Sequence, residues 1–228
     1  MFFDPQYLLL VGLPTLILSL LAQLFVRSAY SKWSNVRNSA GVTGINVAER
    51  IFARTHVNPV RLEGAPGQLS DHFDPGAGVV RLSQGIATVP SVASMAVVAH
   101  ELGHVQQYQQ RSPLIAARQF LVPGVQIAPQ IGYLMIIIGL FLRFSGLIWA
   151  GILLFGVMVV FMLLTLPVEI DASRRGLALL QQAGLLQTSD DSGGARAVLT
   201  AAAMTYLAAA VSAVLQLLYF ISLANRRR

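Results

Sequence analysis

His100, Glu101 and His104 stand in the run His100-Glu101-Leu102-Gly103-His104, a spacing suited to a hydrolytic metal centre. An α-helix advances about 100° per residue, so residues i and i+4 share a face and two imidazoles placed this way can reach one ion. They make half of a tetrahedral site, and a Zn2+ held there lowers the pKa of a bound water to about 7. A carboxylate alongside must take the water's proton as the water attacks a carbonyl, and Glu101 is placed to be that base. The bland alternative is a chance pattern in a packed helix. Against it, two of the chain's four histidines fall in this one turn, and the flanks Ser94 to Ala99 and Val105 carry no charge, as expected of a buried helix that holds a metal.

The elements that must position this motif are set by composition. Hydrophobic residues make up 55% of the 228 and charged ones 11%, against roughly 25% charged in a soluble domain, so the chain reads as a membrane protein. Four stretches are long enough for a span of about 20 apolar residues: Tyr7 to Val26, Leu121 to Leu142, Leu147 to Val168 and Ala197 to Leu223. The middle two read as a hairpin turned at Arg143-Phe144-Ser145-Gly146, with Pro123, Gln126, Pro129 and Gln130 predicting an irregular first half for Leu121 to Leu142. The first stretch is read as a retained anchor. Met1-Phe2-Phe3-Asp4-Pro5 has no basic residue and no small-residue cleavage site follows the apolar run.

With no cysteine in the chain, disulfides and thiolate ligands are excluded, and any metal must use nitrogen and oxygen donors. If the chain crosses four times, nine and three Lys or Arg lie in Arg27 to Phe120 and Glu169 to Arg196, against four on the other side. By the positive-inside rule the motif faces the cytoplasm and the protein is a multi-pass protein of the inner (cell) membrane. The formal charge of +6 points to anionic lipid head groups. Nucleic acid is not an expected partner, because no basic stripe with interleaved aromatics occurs.

Between the first two spans, Gly44 to Thr55 is amphipathic, with Ile45, Ala48, Ile51 and Phe52 on one face. Val60 to Glu63 and Val79 to Ser83 alternate as strands around turns at Gly64-Ala65-Pro66-Gly67 and Asp74-Pro75-Gly76. Pro90-Ser91 opens the motif helix and Ser112-Pro113 stops it near Gln110. Gln106, Gln107, Gln109 and Gln110 after His104 would be costly in hydrocarbon, so the motif helix belongs at the membrane surface.

A third ligand must come from outside that helix, and the candidates are His56, Asp71, His72, Asp74, Glu169 and Asp171. Glu169 is favoured, an acid set where an apolar span meets water. His72 between Asp71 and Asp74 raises a second-metal reading, but Asp-Pro-Gly is ordinary turn chemistry. His56 reads as a surface histidine, Arg174 and Arg175 as membrane-surface anchors, and Tyr206 as a packing residue.

Asp71-His72-Phe73-Asp74-Pro75, Val80-Arg81-Leu82-Ser83, the motif itself, Pro167-Val168-Glu169-Ile170-Asp171-Ala172-Ser173 and Ala201-Ala202-Ala203-Met204-Thr205-Tyr206 together resemble the YugP-like family of bacterial membrane zinc peptidases. The resemblance runs from about Gly44 to Tyr219. It implies a gluzincin-type site with His100, His104 and Glu169 on zinc and Glu101 as base. Larger relatives of that type place an aspartate four residues after the ligand glutamate, where this chain has Ser173. Asp171 is then the nearest acid and reaches an imidazole N–H only if its helix unwinds. The resemblance also implies that an extended substrate pairs with an edge strand just upstream of the zinc helix, which puts Val80, Arg81 and Leu82 forward as substrate-binding residues. The competing reading of that segment is a plain core strand.

The resulting expectation is a mostly α membrane protein with four transmembrane helices and a small α+β gluzincin-like zinc metallopeptidase domain between the first and second spans. Its parts are an anchor (1–27), the loop domain (28–120), a transmembrane hairpin (121–168), and a third-ligand segment with the last transmembrane helix (169–228). The expected activity is zinc-dependent endopeptidase hydrolysis of a peptide or membrane-protein substrate at the bilayer surface. The rival is a non-catalytic, zinc-stapled scaffold that binds extended peptides or partner membrane proteins. Structural sites fill the fourth metal position and catalytic ones leave it to water, and three convincing ligands favour catalysis. Oligomeric state is not written in these residues.

Overall fold

The computed structural model describes residues 4–226. Met1 to Phe3, part of the stretch read as lacking a basic region, and Arg227 and Arg228 of the basic tail lie outside the described residues. The chain is mostly helical. A short helix α1 (Pro5–Tyr7), one π-helical stretch (Leu8–Gly12) and α2 (Leu13–Ser34) form one long rod. Helix α3 (Gly44–Arg54), three strands β1 (Arg61–Ala65), β2 (His72–Asp74) and β3 (Val79–Ser83), α4 (Gln84–Thr88) and α5 (Val92–Gln109) follow. Three long helices complete it: α6 (Pro113–Phe141), α7 (Ser145–Gln182) and α8 (Ser189–Asn225). The segments Pro5–Ser34, Pro113–Phe141, Ser145–Gln182 and Ser189–Asn225 are long and apolar enough to cross a membrane.

Two compact units are distinguished, Met1–Gln23, Ala116–Pro167 and Thr205–Arg228 in one, Leu24–Ile115 and Val168–Met204 in the other. In the second, α3 starts at Thr43, whose hydroxyl accepts from the Asn46 N–H, and buries Val47, Ala48 and Ile51 on one face. The motif helix α5 is capped by Ser91, whose Oγ accepts from the Ser94 N–H at 3.1 Å. Such a cap satisfies one of the first-turn donors that a helix leaves unpaired and contributes about 1 kcal/mol. Leu82, Ile86, Met95, Leu102, Leu179 and Leu180 fill the core around α5.

The sheet order is β1-β3-β2, with β1 parallel and β2 antiparallel to β3. This overturns the edge-strand expectation for Val80, Arg81 and Leu82. They lie in the central strand: Val80 and Arg81 pair with both β1 and β2, Leu82 pairs with β1 alone, and Val80 and Leu82 are buried. The difference has a physical origin: β2, which occupies one edge of β3, is only three residues long and lies in a segment whose Asp-Pro-Gly composition reads as a turn.

In the other unit, α6 and α7 form the hairpin, joined through Arg143 in the left-handed region (φ 55°). The expected irregularity of the first half of α6 is not found. The helix continues through Pro123 and Pro129, each of which lacks an N–H and leaves a carbonyl four residues back without its helical partner. An apolar surrounding penalises any further unwinding, because each freed backbone group would go unsatisfied. Ile136, Ile148, Ile152, Phe155 and Phe220 form the centre of this unit.

Candidate metal centre

The site is assembled where α5 and the polar end of α7 touch backbone to backbone. A Cβ on Gly103 would lie 2.2 Å from the Ala172 carbonyl oxygen, and one on Gly176 would lie 2.7 Å from that of Ala99. Only glycine permits these two approaches. They bring Glu169 Oε2 to 3.2 Å from His100 Nε2 and 3.5 Å from His104 Nε2. The three donors lie within 4.8 Å of one another and form the one group of three or more such residues, among the described residues, able to hold a metal ion.

The outer nitrogens of both rings are held. His104 Nδ1 lies 3.0 Å from Gln107 Oε1. The orientation of that amide is fixed, because Gln107 Nε2 donates to two groups that only accept, the Val168 carbonyl at 2.9 Å and Asp171 Oδ2 at 2.7 Å. His104 therefore donates through Nδ1–H, and its Nε2 is directed at Glu169. His100 Nδ1 lies 3.2 Å from Ser173 Oγ. Asp171 also accepts from Arg175 Nε at 2.6 Å, and Arg175 Nη1 donates to Gln106 Oε1 and Gln110 Oε1. The helix is intact across Glu169 to Ser173, so Asp171 contacts no imidazole directly and supports His104 only through Gln107. Ser173, four residues after Glu169, is the residue whose hydroxyl meets the His100 ring.

Glu101 is buried and its Oε2 accepts from the Phe73 main-chain N–H at 2.9 Å. Burial pushes its carboxyl above the ordinary range, although His100 and His104 act in the opposite direction. For His104, burial alone would lower the pKa. The Glu169 hydrogen bond and charge, with Glu101 and Gln107, carry it above the usual value. With its Nδ1 proton committed to Gln107, a further proton on Nε2 facing Glu169 stands where a metal ion would sit. The donor set, two imidazole Nε2 atoms and one carboxylate with held outer nitrogens, fits zinc.

The remaining candidates are used elsewhere. Asp71 Oδ1 accepts from the Ser83 N–H at 2.7 Å, His72 Nδ1 lies 2.8 Å from the Ser70 carbonyl, and Asp74 pairs with Arg81 at 2.8 Å. His56 and Arg174 are exposed. Gln107 and Ser173 were the residues that sequence reasoning missed as partners of the rings. The only available signal was position, Gln107 three residues after His104 and Ser173 four after Glu169.

Fold and site together define an apolar, mostly helical chain with a metal-competent His–His–Glu centre beside a buried glutamate. The family profile described as "Putative neutral zinc metallopeptidase" matches residues 7–225, and the chain belongs to that family. It is 37% identical over 204 residues, 90% of each chain, to the "Putative membrane protease YugP" of Bacillus subtilis (strain 168). No solved structure matches.

Proposed function

We propose that this chain is a multi-pass membrane zinc endopeptidase whose α+β domain, between the first and second spans, has a gluzincin-like arrangement and works at the cytoplasmic surface of the cell membrane. The observation that carries the proposal is the convergence of His100, His104 and Glu169 on one point with Glu101 alongside, in a member of a zinc metallopeptidase family. The excess of Lys and Arg in Arg27 to Phe120 and Glu169 to Arg196 supports the cytoplasmic placement.

His100, His104 and Glu169 would hold zinc, which when bound supplies the Lewis acidity that makes water a nucleophile near neutral pH. Glu101 takes the proton of the attacking water and passes it to the departing amine, and a carboxyl raised by burial is suited to both transfers. Gln107 and Ser173 keep the two rings turned with Nε2 inward. A peptide along the outer edge of β2 would lie beside Glu101, whose carboxylate accepts from the Phe73 N–H there. Main-chain pairing at a strand edge binds peptides with little regard to side chain.

The test is zinc per chain and peptide cleavage in the purified protein, with Glu101→Gln beside it. One equivalent of zinc in both proteins and cleavage only in the first is the expected result. Cleavage that survives the substitution would remove Glu101 from its role.

A further inference from the structure

Two of the three carboxamides of helix α6 stand in its apolar length, where a membrane helix should have none. Gln126 and Gln130 are exposed on the same side of the helix, one turn apart, and neither makes a hydrogen bond with another described residue. The 29 residues of α6 extend about 44 Å at about 1.5 Å each, well beyond the ~30 Å hydrocarbon core. Arg118 and Gln119 lie at the start of the helix and Arg143 follows its end, so the surplus length falls at the Arg118 end. Counting back from Phe141, Gln130 and Gln126 then sit about 17 and 22 Å along the span, inside the hydrocarbon. Pro123 and Pro129 add to the polarity of this stretch by freeing the Gln119 and Val125 carbonyls from their helical bonds.

A buried amide in lipid that finds no partner within its own chain is satisfied by another helix. A carboxamide is at once donor and acceptor, so an identical carboxamide across a two-fold axis completes it, and two at i and i+4 give a symmetric ladder without any other residue type. An arginine or carboxylate on the partner would be left with unmatched charge, since this face offers neither sign. We propose that α6 is the interface between two copies of this chain within the membrane, paired through Gln126 and Gln130. The proposal rests on α6 being a span and is independent of the zinc chemistry.

The chain has no cysteine, so single substitutions Gln126→Cys, Gln130→Cys and, on the exposed apolar face of α7, Leu153→Cys can be oxidised in intact membranes with copper phenanthroline. The expected result is a disulfide-linked band of twice the chain mass at the two α6 positions, composed of this chain alone, and none at Leu153. Equal dimer at Leu153, no dimer at either α6 position, or a band containing another protein would overturn the proposal. So would labelling of either α6 cysteine by a water-soluble maleimide, which would place this stretch in water. Gln126→Leu with Gln130→Leu should raise the dimer dissociation constant about tenfold. Zinc content, measured in parallel, should not change, and its loss would bear on the metal site rather than on the interface.

Discussion

The same packing device recurs in this molecule, and two of its instances yield different results. At Gly132 and Gly151, α6 and α7 meet so closely that a Cβ on either would lie 2.7 or 2.5 Å from the other's carbonyl oxygen. The neighbouring side chains are Ile136, Ile148, Ile152 and Phe155, and the contact yields dispersion and burial alone. At Gly103 the approach of α5 and α7 is tighter still. Beside that contact stand His100, His104, Glu169, Gln107, Asp171 and Ser173, joined to one another by hydrogen bonds. Close approach of helices is therefore generic here, and chemistry arises only where the groups beside the contact are polar and mutually satisfied.

The sharpest test of that contrast is removal of the ligand that only close approach supplies. Glu169→Ala should take bound zinc from one equivalent to little, measured on detergent-purified protein; unchanged zinc would detach α7 from the site. Next in size, Gly103→Ala inserts a methyl 2.2 Å from backbone oxygen and must displace α7 by on the order of 1 Å. Zinc affinity should fall about a hundredfold, judged by competition with a chelator. Gly132→Ala, its counterpart, should lower stability by about 1–3 kcal/mol from overpacking while zinc affinity holds. If both glycine variants lost zinc equally, the two contacts would not be separable. Gln107→Leu frees the His104 ring and should weaken zinc about 10- to 100-fold, with Ser173→Ala toward the lower end.

The smallest effect belongs to Asp74. Arg81 beside it, with the Ala77 and Gly76 N–H groups, holds its carboxyl below the ordinary 3.8. A depressed folded pKa adds stability above the unfolded value, and that stability is lost as pH falls from about 3.8 through the lower folded value. The group is partly exposed, so the slope in acid melting that Asp74→Asn removes should be slight.

How much of this was legible in the sequence depended on how many elements a residue needs. His100, Glu101 and His104 share one helix, and helical periodicity alone places them together. Glu169 needed a second element, and an acid at the end of an apolar run together with the family resemblance indicated it. Gln107 and Ser173 as ring partners were not legible, because their contacts depend on rotamers and on the interhelical distance set by Gly103. The central position of β3 depended on β2, too short to show a period of two. Helicity through Pro123 and Pro129 depended on surroundings that make a broken helix costlier than a missing bond.

The fourth position of the His-Glu-Leu-Gly-His run has a consequence for anyone scanning this gene by saturation mutagenesis. Gly103 offers no donor atom and no proton, yet every alternative side chain begins with the carbon that Ala172 excludes. Its tolerance profile should therefore be as narrow as that of the flanking histidines, and a rescue, where one exists, should map to a change in α7 that restores clearance rather than to any residue that binds metal.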